Sequence, residues 1–446
     1  MSRSTRAAVV IALAAILAVA ATYAGTGALG FFWDDYLLLR PRPWAELLRV
    51  WHGSWDITGY SPPFYRPLAV WADTAAFSLF GFNESWLRFV ALAELAVGAS
   101  LVGQFVRREG AGMWFGALAA VLYAVHPAVS ASAGPWWFEQ NHRLAVICAV
   151  TALLTWQSRR AALSWRAWWP VHVWILAGSL FKEDVLVLAP VLLLFQWWRA
   201  RLLRDVPSPS LMFIGRISAG WAAWFMARWW LLGAIAGAPI GGPNGTLADA
   251  VRHGLRGIWR VFIEVRAMQG ESFITHQIAT LLLIVVSLAG VTAWWLGASN
   301  RARLLMGQGL ALGLGANVLA AIASFPTRYH LMAIGGVLLL SGALVAWHDR
   351  FTGPRRPAVA VMAVALALSF STASRASVWL YRPCTSANLH LDTQLRVWLE
   401  GVPAWRSSWI LPWLDEKAQR CADGRTVVLT DAIPDVLADV KAGRRQ

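Results

Sequence analysis

Apolar runs long enough to cross a membrane recur along the whole chain and are separated by short polar loops. Eleven spanning helices are predicted, at residues 7–29, 86–106, 113–131, 141–157, 169–181, 185–198, 211–232, 277–297, 305–323, 329–347 and 358–375. The run 169–181 is short for a full span, so the stretch 169–198 is either two short helices or one kinked helix. The pattern predicts an all-α polytopic membrane protein.

Arginines mark one side of the predicted bundle. If the helices alternate in direction, five short loops lie on the cytoplasmic side, and every one is rich in arginine: 107–109, 158–166, 199–205, 300–303 and 348–357. The basic start "MSRSTR" then also lies in the cytoplasm, and the C-terminus lies outside. The first apolar run is too long for the hydrophobic core of a typical signal peptide.

The spans and loops divide the chain into two parts. Residues 1–375 form the predicted transmembrane domain, and residues 376–446 form a small extracytoplasmic tail. Two outward loops are long, 31–85 and 233–276. A β-strand is predicted in the tail at "RTVVLTDA", residues 425–432.

The first outward loop carries an amphipathic pattern. Trp44, Leu47, Leu48 and Trp51 follow the spacing of one helix face, and Pro43 fits the first turn. A helix of this kind is expected to lie on the membrane surface.

Composition agrees with a membrane protein, since 58% of the 446 residues are hydrophobic and only 14% are charged. The net charge of +15 would suit a nucleic-acid partner, but the arginines fall mainly in the short loops between apolar runs. Membrane topology explains that distribution, so we predict no nucleic-acid binding.

The three cysteines fall into two environments. Cys148 lies in a predicted membrane helix, whereas Cys384 and Cys421 both lie in the outward tail, which is an oxidising location in bacteria. A Cys384–Cys421 disulfide is therefore predicted, with two unpaired thiols as the alternative.

Asp34 and Asp35, in "FFWDDY", follow the first predicted span on its outer side. They are either a helix cap or part of a catalytic site. Four further polar clusters fall at predicted outer helix ends, as one active site would require: "SPPFYRPL" (61–68), "HPAVSASAGPWWFEQNHR" (126–143), "LFKED" (180–184) and "FPTRYH" (325–330). Structural roles stay open for each of them, such as an ion pair between Glu139 and Arg143 one helical turn apart.

Taken together and in order, these motifs carry a resemblance. "FFWDDY", "YRPLAVWADTAAFSLFG", "HPAVSASAGPWWFEQNHR", "LFKED" and "TRYH" resemble the polytopic C-type glycosyltransferase superfamily, and within it the transmembrane O-mannosyltransferase-like branch. The resemblance covers roughly residues 1–350. Phe181 stands where that family often has serine, and the tetratricopeptide array of its animal members is missing.

The resemblance implies an inverting glycosyltransferase that moves a sugar from a polyprenyl-phosphate carrier to a hydroxyl acceptor. Asp34 is then the expected general base and Asp35 its orienting neighbour. Four cations are candidates for binding the donor phosphate: Arg66, Arg143, Lys182 and Arg328. Five residues are candidates for positioning substrate: Tyr65, His126, Glu139, Glu183 and Tyr329.

No His or Cys spacing of the kind found in structural zinc sites occurs, and a divalent metal at the acidic pair is left open. The expected setting is the bacterial plasma membrane, with the site facing outward. The rival function is a transporter or flippase of a lipid-linked sugar. Against it, the sequence has no two-fold hydropathy repeat, and its polar clusters gather on one predicted face.

Overall fold

The computed structural model describes residues 2–24, 38–54, 65–127, 140–232, 298–322, 330–350, 356–379 and 410–424, with the single positions 129, 137, 384, 389, 392, 393, 396 and 397. Within these residues the protein is 86% helical and has no strand. The predicted strand 425–432 and the predicted span 277–297 lie outside the described residues.

The described chain forms thirteen α-helices. In chain order they are α1 Arg3–Tyr23, α2 Trp44–Arg49, α3 Pro67–Phe80, α4 Glu84–Val106, α5 Met113–Ala124, α6 Gln140–Arg159, α7 Trp165–Phe181, α8 Leu188–Leu202, α9 Leu211–Leu232, α10 Asn300–Ile322, α11 His330–Arg350, α12 Arg356–Trp379 and α13 Ile410–Ala422. A π-helical turn, Arg107–Ala111, follows α4, and a 3₁₀ turn, Glu183–Val187, precedes α8.

Three stretches among the described residues are long and apolar enough to cross a membrane: Arg3–Tyr23, Glu84–Ala111 and Glu183–Leu202. The predicted all-helical class is confirmed for the described residues, and the protein has the apolar helices of a membrane protein.

The core is a bundle in which α1, α4 and α5 pack against one another, and α6 packs against α4 and α7. Helices α10 and α11 also pack closely, and two glycines make the short distance between them possible. A Cβ on Gly309 would lie 2.6 Å from the carbonyl oxygen of Gly335, so neither position tolerates a side chain at this distance between helices.

The stretch 169–198 forms two helices rather than one kinked helix. Lys182 has extended backbone angles, φ −156° and ψ 130°, which end α7 before the 3₁₀ turn begins. Helix α7 starts at Trp165, four residues before the predicted start. Ser164 caps this helix, because its side chain accepts a hydrogen bond from the backbone N–H of Ala167.

The predicted first outward loop, 31–85, differs from its prediction where the structure describes it. The helix α2 is only six residues long, and Pro43 precedes the helix instead of occupying its first turn. Trp44 is 68% exposed, whereas Leu47 is buried against Val50 and Val70. The 14-residue apolar helix α3 follows within this loop and was not predicted.

The tail contains the disulfide that joins Cys384 to Cys421, with an S–S distance of 2.05 Å. Cys421 lies in α13, and Lys417 of the same helix forms a buried ion pair with Asp392 at 2.5 Å. Cys148 is buried on α6 as a free thiol.

Candidate functional site

Three of the predicted polar motifs meet at one end of the bundle. Tyr65 and Arg66 directly precede α3, His142 and Arg143 lie in the first turn of α6, and Lys182 stands where α7 ends. Each side chain is therefore held at a helix end, where the backbone is fixed by the helix that follows or precedes it.

Arg66 and Glu183 form a two-pronged ion pair. The Arg66 Nε donates to Glu183 Oε2 at 2.9 Å, and its Nη2 donates to Oε1 at 2.6 Å. Both partners are shielded from solvent, and 117 residues separate them in sequence. This planar geometry is the arrangement that an arginine makes with a carboxylate or a phosphate.

Lys182 contacts His142, with 2.5 Å between Nζ and Nε2. Because an ammonium group has only donors, the cationic form of Lys182 requires a neutral His142 whose Nε2 accepts the bond. Both side chains are buried. The contact links the end of α7 to the start of α6.

Arg143 pairs with a residue that the sequence interpretation did not single out. Its Nε donates to Glu94 Oε2 at 2.9 Å, and Gln140 Nε2 donates to Glu94 Oε1 at 3.1 Å. Glu94 belongs to α4 and interrupts the apolar run "ALAELAVG". An acid inside a predicted span is itself a signal of a partner or a function, and it could have identified Glu94.

Asp73, on α3, is a further buried acid and accepts a hydrogen bond from Trp137 Nε1 at 3.1 Å. It interacts electrostatically with Glu94 and Arg143. This acid too was not singled out from the sequence, because the helix that carries it was not predicted.

Arg228, on α9, is the least exposed of these cations, with 0% of its surface exposed. Among the described residues, none of its three guanidinium nitrogens has a hydrogen-bond partner. Its charge is attracted by Glu183 and repelled by Arg66. From the sequence, Arg228 was only one position within the predicted span 211–232.

Tyr65 lies beside this arginine. Its hydroxyl donates to the Trp51 carbonyl at 3.0 Å, and its ring packs edge-on against Trp224 with 6.2 Å between the centroids. Burial raises the pKa of the Tyr65 phenol above its ordinary value, and the charge of Arg228 acts in the opposite direction. The hydroxyl therefore stays protonated at neutral pH and remains a donor.

We call Arg66, Arg143, Lys182 and Arg228, with their partners Glu94, Glu183 and His142, the cation cluster. Arg66, Arg143, Lys182, Glu183 and Tyr65 were predicted site residues, and the structure brings them to one end of the bundle. His126, also predicted, packs edge-on against Phe370 of α12 at 5.2 Å. The other predicted site residues lie outside the described residues: Asp34, Asp35, Glu139, Arg328 and Tyr329.

A second charged group, the Glu109 cluster, lies at the opposite end of the same helices. Glu109 accepts from Gln157 at 2.6 Å, from Arg160 at 2.8 Å and from Arg199 at 2.5 Å, and Arg199 also pairs with Asp205. Glu109 is completely buried in these contacts. Gly110, with φ +94°, lets the chain turn at this point.

Loops that were predicted to share one face contact one another around this cluster. Glu109 joins the loop 107–109 to the loops that contain Arg160 and Arg199. Asn300 donates to the carbonyl of Leu202 at 2.9 Å, and Ser299 hydrogen-bonds Asp349 at 2.7 Å.

No group of three or more His, Cys, Asp or Glu residues could hold a metal ion within the described part of the chain. Compared with models of protein families, with curated proteins and with solved structures, the chain matches none. The function is therefore argued from the site itself rather than by analogy.

Proposed function

We propose that this protein is an inverting membrane glycosyltransferase. It would move a sugar from a polyprenyl-phosphate carrier to a hydroxyl acceptor on a protein, glycan or lipid, with Asp34 as general base. The observation that carries the proposal is the cation cluster, because buried arginine and lysine side chains from α3, α6, α7 and α9 meet at one end of an apolar helix bundle. The phosphate of a membrane-embedded carrier would lie at that end of the bundle.

Helix length supports a bilayer between the two charged clusters. Glu94 and Glu109 lie 15 residues apart on α4 and its π-helical extension. At 1.5 Å per residue this corresponds to about 22 Å along the axis, and Arg143 on α6 and Arg160, the residue that follows α6, give about 25 Å by the same rule. Both separations are shorter than the roughly 30 Å hydrocarbon layer of a bilayer, so the two clusters would lie just inside its opposite surfaces.

The arginine-rich loops decide the orientation in the proposed topology. The Glu109 cluster joins the arginine-rich loops and would face the cytoplasm, and the cation cluster would face outward. Eleven spans, an N-terminus inside and a bacterial plasma-membrane location belong to this proposal.

In the proposed reaction the acids and the cations have different roles. Asp34 would take the proton from the acceptor hydroxyl while the hydroxyl oxygen forms a bond to the anomeric carbon. The bond from that carbon to the phosphate oxygen breaks, and the polyprenyl phosphate leaves with the electron pair. A single displacement inverts the configuration. The cations would stabilise the negative charge that develops on the leaving phosphate.

Helix α1 ends near the cation cluster. Tyr23, at the end of α1, donates to the Ala124 carbonyl at 3.4 Å and interacts electrostatically with Arg143. The segment that contains Asp34 and Asp35 therefore starts from the same end of the bundle as the cations. Asp35 would orient Asp34 or the acceptor, and the two carboxylates could share a divalent metal.

The remaining predicted residues keep their proposed roles. Arg328 would bind phosphate, and His126, Glu139 and Tyr329 would position the sugar or the cations. A divalent metal is not required by the direct displacement.

Asp34→Asn tests the proposal. We expect transfer from a defined polyprenyl-phosphate sugar to fall by about 10²–10⁴-fold, because a general base contributes that much to the rate. The melting temperature should stay at the parent's value. The matched control is Asp423→Asn, at an exposed position in the tail.

Undiminished transfer by Asp34→Asn would remove this residue from the mechanism, and loss of folding would identify it as a helix cap. Lipid mass spectrometry of the purified protein should also find a co-purified polyprenyl phosphate. Movement of a lipid-linked sugar across a reconstituted bilayer with no glycosylated product would favour the flippase instead.

A further inference from the structure

Arg228 stands apart from the other buried cations. Arg66, Arg143 and Lys182 each make a hydrogen bond to a described partner, whereas no described residue accepts one from Arg228. A buried guanidinium with no acceptor is unfavourable, because the desolvation of the charge is not offset. The arrangement is explained if an anion from outside the described chain binds there.

Glu183, the acid that attracts Arg228, does not meet this need. Both oxygens of Glu183 already accept from Arg66, and Arg228 feels Glu183 only through the electrostatic field. Arg66 meanwhile repels Arg228. An anion that bound Arg228 beside Arg66 would relieve that repulsion.

The surroundings of Arg228 on α9 indicate the chemistry of that anion. Met226, Trp229 and Trp230 are 66%, 59% and 85% exposed, so the helix around Arg228 presents apolar and aromatic side chains to its surroundings. An anionic group attached to a hydrocarbon chain could place its chain along this surface and its charge inward. A guanidinium also matches phosphate oxygens with two parallel hydrogen bonds.

We propose that Arg228 binds the phosphate of a prenyl-phosphate lipid, which reaches the cation cluster alongside α9. The inference rests on the proposed function and makes it more specific, since it assigns the main phosphate contact to a residue that the sequence motifs do not include. Arg66 would be the second contact, held in place by Glu183.

The test measures binding of farnesyl phosphate to the full chain, purified in detergent, by titration calorimetry. We expect Arg228→Gln to weaken the affinity by about 10- to 100-fold, the effect of losing charge-assisted hydrogen bonds. Arg216→Gln is the matched control, because it makes the same change at an exposed position of the same helix. It should bind as the parent does.

A second variant covers the case in which Arg228→Gln does not fold. Arg228→Lys keeps the charge and loses the planar fork, so we expect a smaller loss, about 3- to 10-fold. Inorganic phosphate should bind far more weakly than farnesyl phosphate to the parent protein. Equal binding of the two anions would contradict a lipid ligand.

The binding results separate a wrong assignment of Arg228 from a wrong proposed function. If the parent binds farnesyl phosphate and Arg228→Gln binds it equally well, this inference is wrong while the proposed function stands. The same binding result with a lower melting temperature for Arg228→Gln would identify Arg228 as an internal counter-ion. If the parent protein binds no farnesyl phosphate, both proposals fail.

Discussion

Glu109 and Glu183 are both shielded glutamates that pair with arginine, yet their surroundings differ. Glu109 accepts from Gln157, Arg160 and Arg199, and Arg199 also pairs with Asp205, so two arginines and two carboxylates are joined in one group. Glu183 accepts from Arg66, while Arg228 lies nearby with no hydrogen-bond partner among the described residues. The first group has as many carboxylates as arginines, whereas the second contains an arginine with no hydrogen-bonded acid among the described residues.

Buried charges in a membrane protein have two different uses. A group in which every charge is paired with an opposite charge closes a helix end and fixes the positions of its loops. A group with an unmatched cation is a candidate for binding an anion. Equivalent substitutions in the two clusters should therefore have different consequences.

The largest effect on stability is expected from Glu109→Gln. This change leaves Arg199 and Arg160 without their shared negative charge, which should cost about 3–5 kcal/mol of unfolding free energy. Chemical unfolding of the purified protein in detergent measures the loss. Added farnesyl phosphate should not restore stability beyond its effect on the parent, and a specific restoration by the lipid would contradict a purely structural role.

A smaller effect is expected from Glu183→Gln, the same change in the cation cluster. Loss of the two-pronged bond to Arg66 should cost about 1.5–3 kcal/mol without ligand. Farnesyl phosphate should restore more stability here than in Glu109→Gln, because the Glu183 carboxylate no longer competes with phosphate for Arg66 and a ligand that binds only the folded state stabilises it. Unfolding measured with and without the lipid compares the two variants directly. Identical responses to the lipid would remove the proposed difference between the clusters.

The smallest effect is expected from Tyr65→Phe. The variant loses the hydrogen bond to the Trp51 carbonyl, which should cost about 1 kcal/mol. If the hydroxyl only fixes the loop, transfer should change by no more than a few-fold. A large loss of transfer with unchanged stability would instead indicate that Tyr65 contacts the substrate, as the sequence motif predicted.

The hydrophobic pattern predicted most helices closely, because apolar length alone is enough to define a span. The run 211–232 coincides with α9, and the run 86–106 begins two residues inside α4. Helix α3 was missed because its 14 residues are too few for a full span, so nothing in the pattern distinguished it from an outward loop. The predicted roles of Asp34 and Asp35 remain predictions, since both lie outside the described residues.

The sequence by itself determined the helical class, the apolar runs and the polar motifs that interrupt them, because each is a property of neighbouring residues. Only the tertiary structure decided which charges pair. Arg143 pairs with Glu94, 49 residues away, and Arg66 with Glu183, 117 residues away. No local spacing specifies such partners, because helix packing brings them together. The same packing buries Arg228 without an acceptor among the described residues, and so identifies the residue to which we assign the lipid phosphate.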